Sequence, residues 1–169
     1  MSDKKPIWAP WRIEFIRSEK DDNCFLCENE QISESNEESL IITRNEHVFV
    51  IMNRYPYNPG HMLISPYRHV GDLSELTPEE RAALMETVVQ CQKILEKLMN
   101  PNGFNIGFNL GVDGGAGVAD HVHMHIVPRW RGDNNFMPVI ADTRVMPEAL
   151  EETAELIRKM WNQTYDSQP

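Results

Sequence analysis

Apolar positions along this chain recur with two different periods, and the change of period divides it into elements. Residues 39–43 and 47–52 are rich in β-branched and aromatic side chains; 61–65 is a third such run, entered through the turn residues Asn58, Pro59 and Gly60. After Thr77 the period lengthens, with Leu84, Val88, Cys91, Leu95, Leu98 and Met99 forming one helical stripe. Thr77 can cap this helix, Pro78 suits its first position, and Glu80 completes a capping box, so a helix is expected to run to about Asn100 and stop at Pro101. Residues 103–110 return to period two, with Phe104, Ile106, Phe108 and Leu110 on one face and Asn105, Gly107 and Asn109 on the other. A Gly-rich turn over 111–117 leads to another alternating run at 121–127. The segment 147–163 reads as an amphipathic helix with Leu150, Leu156, Ile157, Met160 and Trp161 on its apolar side. This order predicts an α+β fold: an antiparallel five-stranded meander sheet with one long and one C-terminal helix.

Composition narrows the setting. The 169 residues suffice for a single domain over 1–169, with an N-terminal arm over about 1–38 and the C-terminal helix over about 147–163. Sixteen Lys and Arg against 26 Asp and Glu give a net charge of −10, unlike a general nucleic-acid coat protein. No apolar run approaches the ~18 residues of a membrane span, and the stretch after Lys4 and Lys5 lacks a signal-peptide core. A cytoplasmic protein without nucleic-acid or membrane partners is expected. Three cysteines are too few for a secreted disulfide scaffold. Residues 28–39 are acidic and read as a solvated loop. Only 41–71 is locally positive, holding Arg44, Arg54 and Arg68 against Glu46.

Candidate chemistry concentrates on histidine and cysteine. His121, His123 and His125 alternate with Val122, Met124 and Ile126, which places the imidazoles on one strand face and the apolar residues on the other. Neighbours two apart on a strand lie about 6.5–7 Å apart, so three in a row span about 13 Å and converge poorly on one ion. The natural division gives an end histidine to a metal and leaves the other two for a substrate. A catalytic metal held by all three would also lack an acidic partner alternating on the same face. Cys24-x-x-Cys27 supplies two thiolates, and a tetrahedral structural zinc needs two more ligands. His47, His61, His69 and one of the triplet are the available histidines, with His69 able to swing toward the cysteine pair.

Together these residues resemble the histidine triad (HIT) family, whose signature alternates three histidines with apolar residues and closes on two apolar ones. Residues 121–127 match it at every position. The resemblance takes in Asn53, Pro59-Gly60-His61, Pro66-x-x-His69 and Pro128-Arg129, and covers roughly residues 8–140. Trp8-Ala9-Pro10-Trp11-Arg12, the segments 55–61 and 103–107, and Trp130-x-Gly132-Asp133-x-Asn135-Phe136 look like a bacterial branch similar to diadenosine tetraphosphate phosphorylases and hydrolases.

The resemblance implies an enzyme that cleaves dinucleoside polyphosphates at the α-phosphate, by hydrolysis or phosphorolysis, through a covalent nucleotidyl-histidine. His123 would be the nucleophile, its second nitrogen held by a carbonyl for which the 114–118 turn is a candidate. His125 and His61 would bind phosphate oxygens or manage the leaving-group proton. Asn53 would contact the ribose and Asn109 the phosphates, with backbone amides of Gly115, Ala116 and Gly117 as further donors. Trp130 could stack on a base, while Tyr55 and Tyr57 shape the turn before His61. Structural zinc would sit on Cys24, Cys27, His69 and His121, and relatives are homodimers. His125 stands where the nucleotidylyltransferase branch commonly has Gln, favouring hydrolysis or phosphorolysis over transfer to a sugar phosphate. The loop Gly114-Gly115-Ala116-Gly117-Val118 lacks the hydroxyl that would bind an incoming phosphate. The alternatives are a nucleoside phosphoramidate hydrolase of the same family and a non-enzymic zinc-pinned nucleotide-binding module.

Overall fold

A computed structural model describes residues 24–30, 40–133 and 149–166. A short helix α1 (Phe25–Glu30) follows Cys24. Strands β1 (Ile41–Arg44), β2 (Val48–Met52) and β3 (Met62–Pro66) come next, then a 3-10 turn at Leu73–Glu75 and the long helix α2 (Pro78–Met99). Strands β4 (Gly103–Phe108) and β5 (Met124–Arg129) follow, and helix α3 (Leu150–Trp161) leads into a wider π-type turn, Asn162–Asp166.

All strand pairs are antiparallel in one five-stranded sheet of order β1-β2-β3-β5-β4. The expected meander therefore needs one correction. It runs through β1–β3, but the last strand then inserts beside β3 and leaves β4 at the edge. Helix α2 carries the chain across the sheet, so β4 enters one place farther out and β5 fills the gap.

Helices α2 and α3 pack on each other and on the same sheet face. In α2, Leu84, Val88, Cys91, Ile94 and Leu95 are buried. The Thr77–Glu80 capping box is formed, and Asn100 closes the helix in the left-handed conformation at φ 46°. Helix α3 begins later than expected and buries Thr153, Ala154, Ile157 and Trp161. Leu156, expected on that stripe, is 44% exposed because its helical position points away from it. The runs in β2 and β3 are buried at every position, as continuous apolar strands covered on both faces should be. On β4, by contrast, Ile106 is exposed, as are Leu110 and Val112 just beyond.

Two local devices fix the segments that deliver histidines. Gly60, immediately before His61, has φ +74°, and a Cβ there would lie 2.7 Å from Met99 Sδ and 3.1 Å from Leu95 Cδ2. Gly60→Ala should cost about 1–2 kcal/mol in urea unfolding; an unchanged midpoint would refute this account of the turn. Beside His69, Arg68 grips Glu80 through Nε–Oε1 (2.7 Å) and NH2–Oε2 (2.5 Å) and donates to Glu75 O. The Arg68 hydrogen bond leads the causes that hold the Glu80 carboxyl down at about 2, with the Thr77 amide helping against burial. A depressed carboxylate stabilises the fold above its unfolded value, near 4.3, and that contribution is lost as pH falls from there toward 2. Because Arg68 is half exposed, solvent screening holds the expected contribution to roughly 0.5–1 kcal/mol. Glu80→Gln should remove it at pH 7 and flatten the acid limb of stability in the same window, read by denaturation at stepped pH.

Candidate functional site

The four side chains proposed as metal ligands converge. Cys24 Sγ lies 3.3 Å from His121 Nδ1, and Cys27 Sγ lies 3.3 Å from His69 Nδ1 and 3.4 Å from His121 Nδ1. All four donor atoms fall within 4.8 Å of one another. Metal–sulfur and metal–nitrogen bonds of about 2.3 and 2.0–2.1 Å at a tetrahedral angle put S and N roughly 3.5 Å apart, so the donor set and spacing fit a tetrahedral metal ion. The far side of His121 supports this. Its Nε2 lies 2.9 Å from Pro66 O and 3.1 Å from Ser65 Oγ. A proton on Nε2 donated to the carbonyl leaves the Nδ1 lone pair facing the thiols. Ser65 escaped the sequence reading, although a lone hydroxyl inside an otherwise apolar buried strand was a usable signal.

The histidine run enters the sheet later than its alternation suggests. Strand β5 begins at Met124, and His121 to His123 form an extended lead held by Val122 N–H on Val70 O (2.7 Å). His123 is 5% exposed, with Nδ1 2.8 Å from the carbonyl oxygen of His121. That carbonyl, two residues earlier in the same lead, holds its second nitrogen in place of one from the 114–118 turn. Burial pushes the His123 imidazolium pKa down against this hydrogen bond, so the neutral ring prevails near pH 7, with Nε2 as its lone-pair nitrogen.

His61 and His125 form a directional pair. The Tyr57 amide donates to His61 Nδ1 at 3.0 Å. A backbone N–H can only donate, so His61 carries its proton on Nε2, which lies 2.9 Å from His125 Nδ1. His125 then accepts on Nδ1 and bears its proton on Nε2. The Tyr57 ring lies 4.6 Å from the His61 ring and is stacked with His125 at 6.0 Å. Tyr57 thus does more than shape the turn. The rings of His123 and His125 are 5.0 Å apart.

Other expected residues divide. Asn53 sets its amide nitrogen against the His61 ring at 3.3 Å and accepts from Tyr55 N–H. Asn109 donates its amide nitrogen to Gly115 O at 3.5 Å and stands at the same distance from His125 Nε2. Gly115 and Ala116 donate their amides to Val112 O and Gly111 O. Turn closure engages both of these donors in this structure. Trp130 donates its indole N–H to Met99 O at the end of α2, where a helix leaves carbonyls without intrahelical partners. Trp8, Trp11, Asn135 and Phe136 lie outside the described residues.

A five-stranded antiparallel sheet backed by helices, with alternating histidines at one end and a Cys2His2 cluster beside them, defines an α+β histidine-site protein. The HIT domain pattern matches residues 34–132, and the chain belongs to that family. It is 36% identical over 162 residues to the AP-4-A phosphorylase of Mycobacterium tuberculosis, covering 92% of this chain and 83% of that one. It is 39% identical over 95 residues to the asymmetrical bis(5'-nucleosyl)-tetraphosphatase of Schizosaccharomyces pombe, covering 56% of this chain and 52% of the relative. Among solved structures, a Zn-bound histidine triad family protein from Mycobacterium smegmatis superposes with a TM-score of 0.67 at 22% identity, over 86% of this chain and 98% of its own.

Proposed function

We propose that this chain cleaves dinucleoside polyphosphates at the α-phosphorus through a nucleotidyl group on His123. The observation that carries the reading is the buried His123, with Nδ1 2.8 Å from the His121 carbonyl oxygen and so Nε2 left as the attacking nitrogen. Likeness to a relative named as an AP-4-A phosphorylase over most of the chain supports the substrate class.

In the first step the lone pair of His123 Nε2 attacks phosphorus, and the bond from phosphorus to the bridging oxygen breaks. The departing polyphosphate leaves with that electron pair and takes a proton from His125 Nε2. The His121 carbonyl stabilises the positive charge that develops on the His123 ring. In the second step water or phosphate attacks the same phosphorus, His123 leaves with the nitrogen lone pair, and His125 regains a proton from the attacking oxygen. His61 keeps His125 in the required tautomer. Asn53 is the ribose partner, Asn109 the phosphate partner, and Gly117 the loop amide assigned to phosphate.

Cys24, Cys27, His69 and His121 hold structural zinc in this reading, tying the N-terminal arm to β3 and to the histidine lead; zinc supplies a fixed cross-link and no chemistry at the substrate. Exposed Ile106, Leu110 and Val112 along the edge strand and beyond it fit pairing of two copies. Cysteines used as thiolate ligands suit a reducing compartment, and the cytoplasm is the proposed location. No helix among the described residues is long and apolar enough to cross a membrane.

Product analysis with diadenosine tetraphosphate tests the reading. Hydrolysis yields ATP and AMP, phosphorolysis with added inorganic phosphate yields ATP and ADP, and an intact substrate in both mixtures overturns it.

A further inference from the structure

A groove of about 460 Å³ opens from His125 along the sheet face opposite the helices. His125, Val127 and Arg129 project to that face, and their β4 neighbours Gly107 and Asn105 continue the floor, since register pairs Gly107 with His125 and Asn105 with Val127. The far wall is Tyr57 and Asn58. The size falls within the range of small-ligand sites. Nothing lies within 4 Å of where a Gly107 Cβ would be, so the floor is lowest directly opposite His125.

The chemistry changes along the groove. Its inner end has His125 and Asn109, suited to phosphate oxygens. At the outer end Arg129 gives Nε and NH2 to Asp133 (2.6 and 3.0 Å) and NH1 to Asn105 Oδ1 (2.7 Å). The guanidinium is neutralised and held flat, which unfits it for gripping a polyphosphate and leaves a planar face on which an aromatic ring can stack. Amide and aromatic walls around that face suit an uncharged, flat, hydrogen-bonding group.

The geometry points to this groove as the seat of the departing half of a dinucleoside polyphosphate, its phosphates running from His125 and its nucleobase on the Arg129 face, with Asn105 and Gly107 setting the room for it. This deepens the proposed function and rests on that reading.

The test compares affinities for AMP, which lacks the departing half, and for diadenosine tetraphosphate, both measured by calorimetry on a His123→Asn parent that binds without turnover. The parent should bind the dinucleotide at least tenfold more tightly. Adding Asn105→Trp should cut that excess below threefold while AMP affinity stays within threefold, and Gly107→Leu should do the same, serving alone where the tryptophan variant fails to fold. Equal affinities in the parent, an excess that survives in the folded variants, or equal losses for both ligands would each overturn the groove assignment. Failure of the functional reading looks different: wild-type protein leaves diadenosine tetraphosphate uncut while the variant-sensitive excess persists in the parent.

Discussion

Replacing His123 with Asn is expected to lower kcat/KM on diadenosine tetraphosphate by about 10⁴-fold or more, because the proposed nucleotidyl transfer would then have no substitute nucleophile. His125 cannot take over, since its Nδ1 faces His61 Nε2 at 2.9 Å. His121 cannot either, with Nδ1 beside the thiols and Nε2 on a backbone carbonyl. Asparagine keeps a donor for the His121 carbonyl, so the variant should melt within a few degrees of wild type and retain its metal. Quenching wild-type turnover with alkali should trap an acid-labile nucleotidyl group on His123 that the variant lacks. Cleavage above about a hundredth of the wild-type rate in a folded variant would eliminate His123 as nucleophile.

The second large effect concerns the Cys2His2 cluster. Metal analysis should find one zinc per chain, and Cys24→Ser combined with Cys27→Ser should remove it. Structural zinc sites in small domains bind with apparent free energies of about 10–16 kcal/mol. Here the sheet and helices form a core of their own, so only the part of that energy tying the arm to β3 is lost. A destabilisation of about 3–5 kcal/mol follows, or roughly 10–15 °C in Tm for a chain of this size. Activity should fall as well, by about tenfold, because one residue links the two sites. The His121 ring belongs to the cluster, and its carbonyl holds His123. A metal-free wild-type protein that melts at the same temperature would remove the structural role from zinc; unchanged activity in a folded, metal-free variant would break the link to His123.

Much of this was legible along the chain because it is local. The capping box of α2 needs only Thr77 and Glu80, three residues apart, and the structure forms it. The alternation at 121–127 correctly sends Val122, Met124 and Ile126 to the core. Spacing alone argued that three histidines would not share one ion, and His121 indeed parts from His123 and His125. Where local pattern failed, packing decided. Leu156 looked apolar enough for the core, but α3, packed on β1 and α2, buries Thr153, Ala154, Ile157 and Trp161 instead.

The sequence by itself determined the residue types, the strand and helix periods, and the resemblance that joined Cys24, Cys27, His69 and His121. Only the tertiary structure decided that these donors meet, across 97 residues between Cys24 and His121. It also decided that β5 lies between β3 and β4, that the Tyr57 amide sets the proton positions of His61 and His125, and that an open groove runs from His125 to Arg129. The reason is physical: a propensity or a cap acts over a turn or two of chain. A shared ligand sphere, a tautomer or a cavity depends on which distant segments the core brings into contact.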